Sequence, residues 1–124
     1  MRCLLDTQVM LWWLLDDPRL GAETRRLVAL SPCVVSVASI WEVAIKHRIG
    51  KLEVSPLVFR DQTIAAGADL LPVLDSHVIE TAQLPMLHQD PFDRLLIAQA
   101  RVEGLMAVSS DRQWSGYDVS LHRL

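Results

Sequence analysis

His88-Gln89-Asp90-Pro91-Phe92-Asp93-Arg94-Leu95-Leu96-Ile97-Ala98-Gln99-Ala100-Arg101 reads as the opening of a helix that carries one carboxylate more than it needs. Asp90 suits the N-cap, where its side chain accepts a bond from a free amide of the first turn. Pro91 then occupies the first helical position, where a missing N–H costs nothing. Leu95, Ala98 and Val102 recur at helical spacing, and Phe92 and Leu96 widen the apolar stripe. Gly104 fits the stop. With Asp90 already capping, Asp93 is a second anion in the first turn of a mostly apolar segment, and it needs a partner of its own.

Outward from this helix, strand-like and helix-like runs alternate. On the C-terminal side, Leu105 to Ser109 reads as a strand leading into Ser110-Asp111, and Val119 to His122 as a last short strand. On the N-terminal side, Asp75-Ser76-His77 begins a helix that ends near Pro85. Leu70 to Val73 is a strand whose Pro72 assigns it to an edge. Leu57 to Ala68 is a helix after Ser55-Pro56, and Ala38 to Ile49 is a helix stopped by Gly50. Cys33 to Val37 is a β-branched strand. Gly21 to Leu30 is a helix with Leu27 and Leu30 inward, and Gln8 to Leu15 is a helix ended by Asp16-Asp17-Pro18. Arg2 to Leu5 is the first strand. The alternation predicts an α/β fold: a three-layer α/β/α sandwich on a mainly parallel sheet of four to five strands with right-handed crossovers.

The chain has 124 residues, 51% of them hydrophobic, and a net charge of −3. That size predicts one domain, residues 1–124, with a proper core. The charge supplies no global basic field announcing nucleic acid, although a local basic rim is compatible with it. No apolar run reaches transmembrane length and the start lacks a signal-peptide pattern, so the expected location is cytoplasmic, without membrane contact. Cys3 and Cys33 fall in strand-like runs without zinc-type spacing and read as small buried thiols.

In such a fold, residues just after a strand and residues in a helix's first turn share the carboxyl edge of the sheet, where ligands usually bind. Asp6 follows the first strand and Asp111 the fourth. Glu42 lies about one turn into the helix after the second strand, and Asp93 opens the helix feeding the fourth. Each acid also has a structural reading. Asp6 can cap the next helix, and Asp111 can be a turn residue. Ser39-Ile40-Trp41-Glu42 fits a capping box, with Glu42 to Lys46 an i,i+4 pair. Asp93 can complement the helix dipole or pair with Arg94 or Arg112. Jointly the arithmetic is demanding, because two carboxylates about 5 Å apart at an effective dielectric of about 20 repel by roughly 3 kcal/mol. A divalent cation is the natural neutraliser, and oxygen ligands suit Mg²⁺ or Mn²⁺. Arg94 and Arg112 are the metal-free alternative.

Leu4-Leu5-Asp6-Thr7, Ser39-Ile40-Trp41-Glu42-Val43-Ala44-Ile45-Lys46 with Gly50-Lys51-Leu52, the His88 to Ala100 run, and Ser110-Asp111 together resemble the PIN domain, in its VapC-like branch of bacterial toxin–antitoxin ribonucleases. The resemblance spans essentially the whole chain, in the expected order. It implies Mg²⁺- or Mn²⁺-dependent cleavage of RNA, a homodimer, and a small antitoxin partner that blocks the acidic edge. The metal-site and catalytic acids it implies are Asp6, Glu42, Asp93 and Asp111, with Asp90 an additional acid serving as cap or support. Gln8 departs from the histidine common there.

Around the acids, Thr7 and Ser110 can hydrogen-bond a ligand or phosphate, or merely cap. Arg94, Arg112 and His88 neighbour the acids and are expected to meet RNA phosphates, although His88 reads first as a satisfied loop histidine. Lys46, His47, Arg48 and Lys51 read as a solvated basic face. Trp12 and Trp13 point to different sides of their helix, so at least one belongs in the core and the other suits a protein interface.

Two rival functions follow. One is a non-catalytic interaction module whose acids are only caps and ion pairs. The other is phosphoryl transfer on a similar scaffold. For the latter, a dehalogenase-type phosphatase wants an acid where Gln8 stands. A receiver domain wants a late lysine beside an acid such as Asp75, and no lysine follows Lys51.

Overall fold

The computed structural model describes residues 2–124. Its elements run β1 (Cys3–Leu5), α1 (Thr7–Leu14), α2 (Ala22–Leu30), β2 (Cys33–Ser36), α3 (Val37–Arg48), α4 (Pro56–Ala65), β3 (Asp69–Leu71), α5 (Asp75–Glu80), α6 (Pro91–Glu103), β4 (Met106–Ser109) and β5 (Leu121–Arg123). Short 3-10 turns lie at Thr81–Gln83 and Arg112–Gly116. The strands form one parallel sheet in the order β3-β2-β1-β4-β5.

The sheet is apolar on both faces because successive strand side chains alternate sides and both sides are covered. Cys3 and Leu5 of β1 join Cys33 and Val35 of β2 against Val9, Met10 and Leu11 of α1, Val43 of α3 and Phe59 of α4. Leu4 and Val34 face the other way, into Leu96, Ile97 and Ala100 of α6 and the fully buried Trp114. Helices therefore pack on both faces, which gives the three layers. Cys3 and Cys33 are buried register neighbours, and burial pushes the Cys33 thiol up to about 11.

Helix α6 has the predicted ends. The Asp90 carboxylate accepts the Phe92 N–H at 2.8 Å, Pro91 opens the helix, and Gly104 closes it at φ +66°. No atom lies within 4 Å of a Cβ added at Gly104. Gly104→Ala should therefore cost only the left-handed backbone strain, about 1 kcal/mol in chemical denaturation, with no change in the rest of the fold.

Other boundaries differ. Helix α3 starts at Val37, capped by Ser36, whose hydroxyl accepts the Ala38 N–H at 3.0 Å. Ser39 is thus inside the helix, and the expected Ser39–Glu42 capping box does not form. Leu30 is exposed rather than inward. The inward face of α2 is set by Thr24, Leu27 and Val28, and Leu30 falls about a third of a turn from it. β3 is an edge strand as expected, but it runs Asp69–Leu71 and Pro72 directly follows it rather than lying within it. Both tryptophans of α1 are half-buried: Trp13 packs near Val28 and Cys33, and the Arg19 guanidinium covers Trp12 at 5.0 Å from the ring. The 3-10 turn Arg112–Gly116 buries Trp114, and no periodic pattern in the sequence marks it.

Candidate metal centre

The chain moves from β1 to β2 on one side and from β4 to β5 on the other, so the strand order reverses between β1 and β4. That switch point leaves a crevice at the carboxyl edge. The register pairs Leu5 with Val108, which sets Asp6 beside Ser109. The Asp6 amide donates to the Val108 carbonyl at 3.0 Å, and the Ser109 hydroxyl donates to Asp6 Oδ2 at 2.8 Å. Helices α3 and α6 bring Glu42 and Asp93 to the same edge. One depression of about 340 Å³ is lined by all four predicted acids, together with Thr7, Asp90, Ser110 and Lys46.

The acids repel one another. Burial is the main reason Asp6 is pushed up to about 6, and the Glu42 and Asp111 charges add to it against the Ser109 bond. Asp93 lies well above the usual carboxylate range, through burial first and then through Asp6, Asp90, Glu42 and Asp111. Asp6 occupies the N-cap position of α1, yet its side chain makes no cap bond to that helix. Its carboxylate is held instead by the Ser109 hydroxyl and the Thr7 amide. Asp111 Oδ1 caps the following 3-10 turn through the Gln113 N–H at 2.9 Å, Oδ2 lies 2.8 Å from His88 Nε2, and the residue lines the depression. Asp90 likewise caps α6 and lines the depression.

The arginines expected near the acids are elsewhere. The Arg94 guanidinium donates to the carbonyls of Pro85 at 2.8 Å and Thr81 at 2.9 Å, and lies 3.4 Å from the Tyr117 hydroxyl. It braces the segment before His88, because a planar five-donor group is well matched to converging carbonyls. Arg112 is exposed and forms no ion pair among the described residues. The cation present is Lys46, whose ammonium lies 2.8 Å from Glu42 Oε2 on the wall of the depression. Lys46 stays on the exposed basic face expected of it, and one helical turn from Glu42 also lets its ammonium reach the rim of the depression. Ser109, rather than Ser110, bonds Asp6. The Thr7 hydroxyl donates to Ser39 Oγ at 2.8 Å, tying the start of α1 to the first turn of α3.

His88 is the satisfied loop histidine that its position suggests, and two of the acids are among its partners. Its Nε2 lies 2.8 Å from Asp111 Oδ2 and 3.2 Å from Asp93 Oδ2. The histidine two residues ahead of a capping aspartate was the available signal, but only the return of β4 brings Asp111 to it. The donor chemistry fits a divalent cation: clustered carboxylate oxygens, with Asp6 and Asp93 raised by burial first and then by their neighbours' charge, and no arginine among them.

Residues 3–119 match the PIN domain, and the chain belongs to that family. Solved structures of the same fold include VapBC2 from Rickettsia felis bound to a promoter DNA fragment, at 14% identity over 99% of this chain and 98% of that one, TM-score 0.77. DNA-bound VapBC from Salmonella typhimurium gives 16% identity over 99% and 98%, TM-score 0.73. VapC20 of Mycobacterium tuberculosis, a Sarcin-Ricin loop cleaving toxin, gives 17% over 92% and 93%, TM-score 0.62. No curated protein matches by sequence. No helix among the described residues is long and apolar enough to cross a membrane.

Proposed function

We propose that this protein is a divalent-metal-dependent endoribonuclease, the toxin of a two-gene toxin–antitoxin module, acting as a single domain in the cytoplasm. The observation that carries the reading is the gathering of Asp6, Glu42, Asp93 and Asp111, from four separate segments, into one depression without arginine compensation. Asp6 and Asp93 would hold a Mg²⁺ or Mn²⁺ ion directly, and Glu42 and Asp111 directly or through water. A divalent cation held by these acids would supply a more acidic bound water and charge to offset the phosphate oxygens. The chain's own contribution is to orient. Ser109 fixes which Asp6 oxygen faces the crevice, the Thr7–Ser39 bond locks the neighbouring helix starts, and Lys46 offers an ammonium to an approaching phosphate. The likeness to VapBC structures supports a cognate antitoxin as partner. A homodimer is the assembly the resemblance implies.

The test is to map the ends of cellular RNAs after induced expression, with Asp6→Asn as control. New ends should appear with the native chain and vanish with the variant. Indistinguishable end maps would overturn the nuclease reading.

A further inference from the structure

His88, Asp93 and Asp111 form a cluster whose ligand atoms lie within 4.8 Å of one another, which on spacing alone looks like a three-ligand metal site. The hydrogen bonds say otherwise. The Asp90 backbone N–H donates to His88 Nδ1 at 3.1 Å, so Nδ1 holds a lone pair. A proton there would set two donors face to face. Nε2 lies against two carboxylate oxygens, at 2.8 Å and 3.2 Å, and a lone pair there would set three acceptors together. One tautomer satisfies both sides: Nδ1 accepts and Nε2–H donates. A nitrogen carrying that proton has no lone pair for a metal. Moving the proton to Nδ1 would break the bond from the Asp90 amide, which belongs to the N-cap of α6.

The ring is held where it is. His88 is buried, and its own amide donates to the Tyr117 hydroxyl at 2.7 Å. Tyr117 is buried in turn, and the Arg94 guanidinium secures the preceding segment through its carbonyls.

We propose that His88 is a positioning residue for the acid cluster and not a metal ligand. Its Nε2–H donates to Asp111 Oδ2 and lies 3.2 Å from Asp93 Oδ2, which holds the loop after β4 against the start of α6 and leaves Asp93 Oδ1 clear of the ring. The proposal rests on the nuclease reading for the identity of the site, but the tautomer stands on the protein's hydrogen bonds alone. Groups orienting metal ligands in this way typically change metal affinity by about 10–100-fold when removed.

The test uses the full chain with ¹⁵N-labelled histidine, the His88 ring being assigned by its loss in His88→Gln. At neutral pH, NMR should show Nε2 protonated and Nδ1 unprotonated, and the pattern should persist on saturation with Mg²⁺ and with Zn²⁺. A second measurement titrates Mn²⁺ into His88→Leu and His88→Gln by calorimetry. Affinity should fall about 10–100-fold in the leucine variant. It should recover in part with glutamine, whose amide can donate from near the Nε2 position. Loss of the Nε2 proton on adding either ion, or a proton on Nδ1 beforehand, would overturn the proposal, as would unchanged Mn²⁺ affinity in a folded His88→Leu. These outcomes are distinct from failure of the nuclease reading, which would show as native protein that leaves RNA ends unchanged.

Discussion

Asp93→Asn is expected to abolish RNA cleavage and, in the same protein, to raise the stability of the metal-free fold. The side chain sits in the first turn of α6 and is pushed well above the usual carboxylate range by burial and four neighbouring acids. Asparagine keeps the shape and an acceptor for His88 but removes the anion. Cleavage should fall by at least about 10²-fold, the scale on which single electrostatic groups act at transition states. Stability above neutral pH should rise on the order of 1–3 kcal/mol, because each repulsive pair relieved is of that size. The sign is diagnostic. If Asp93 were only an anion favoured by the helix dipole, removing it would destabilise by about 0.3–1 kcal/mol. Thermal melts of the two proteins in chelator, beside a cleavage assay, separate the cases. A variant that is less stable than the parent and cleaves normally would return Asp93 to a structural role.

The metal-free protein is also expected to lose stability as pH rises from about 4 through about 6 and beyond, and a divalent cation should remove most of that loss. The folded Asp6 carboxyl keeps its proton to about 6, against an ordinary value of 3.8. Across that window the folded chain binds more protons than the unfolded chain, so raising pH favours unfolding. The stabilisation is complete below the ordinary value and is lost through the folded one. For Asp6 alone it amounts to about 3 kcal/mol, and Asp93 acts in the same direction. Asp17 works oppositely, held down at about 2 by Arg19, and matters only in more acidic solution. At 100 times its Kd, Mg²⁺ or Mn²⁺ contributes about 2.7 kcal/mol, on the order of 10 °C in Tm. Melting curves across pH, with chelator or with either ion, read this directly. An interaction module whose acids were caps and ion pairs would become more stable over the same pH range and would ignore the cation.

The segment 88–104 was legible because its information is local. Asp90, Pro91 and Gly104 act on bonds within a few residues, and the helix they delimit is observed with those ends. The apolar strands were legible for a related reason: a doubly covered parallel sheet needs continuous apolar runs, and a chain alternating them with helices has few ways to fold. The four acids and their common edge followed from that topology without coordinates. Which side chain faces which was another matter. Arg94 is adjacent to Asp93 in sequence but points to carbonyls before His88. His88 and Asp111, 23 residues apart, meet only because β4 returns beside β1. Lys46 is exposed as its basic run indicates, but that its ammonium borders the acids depends on where α3 lies over the crevice. Sequence alone determined the elements, the layers and the candidate acids, since helix ends and strand patterning are short-range. The tertiary structure decided the acids' partners and charge states, because burial and long-range contact set those and neither exists until the sheet has closed.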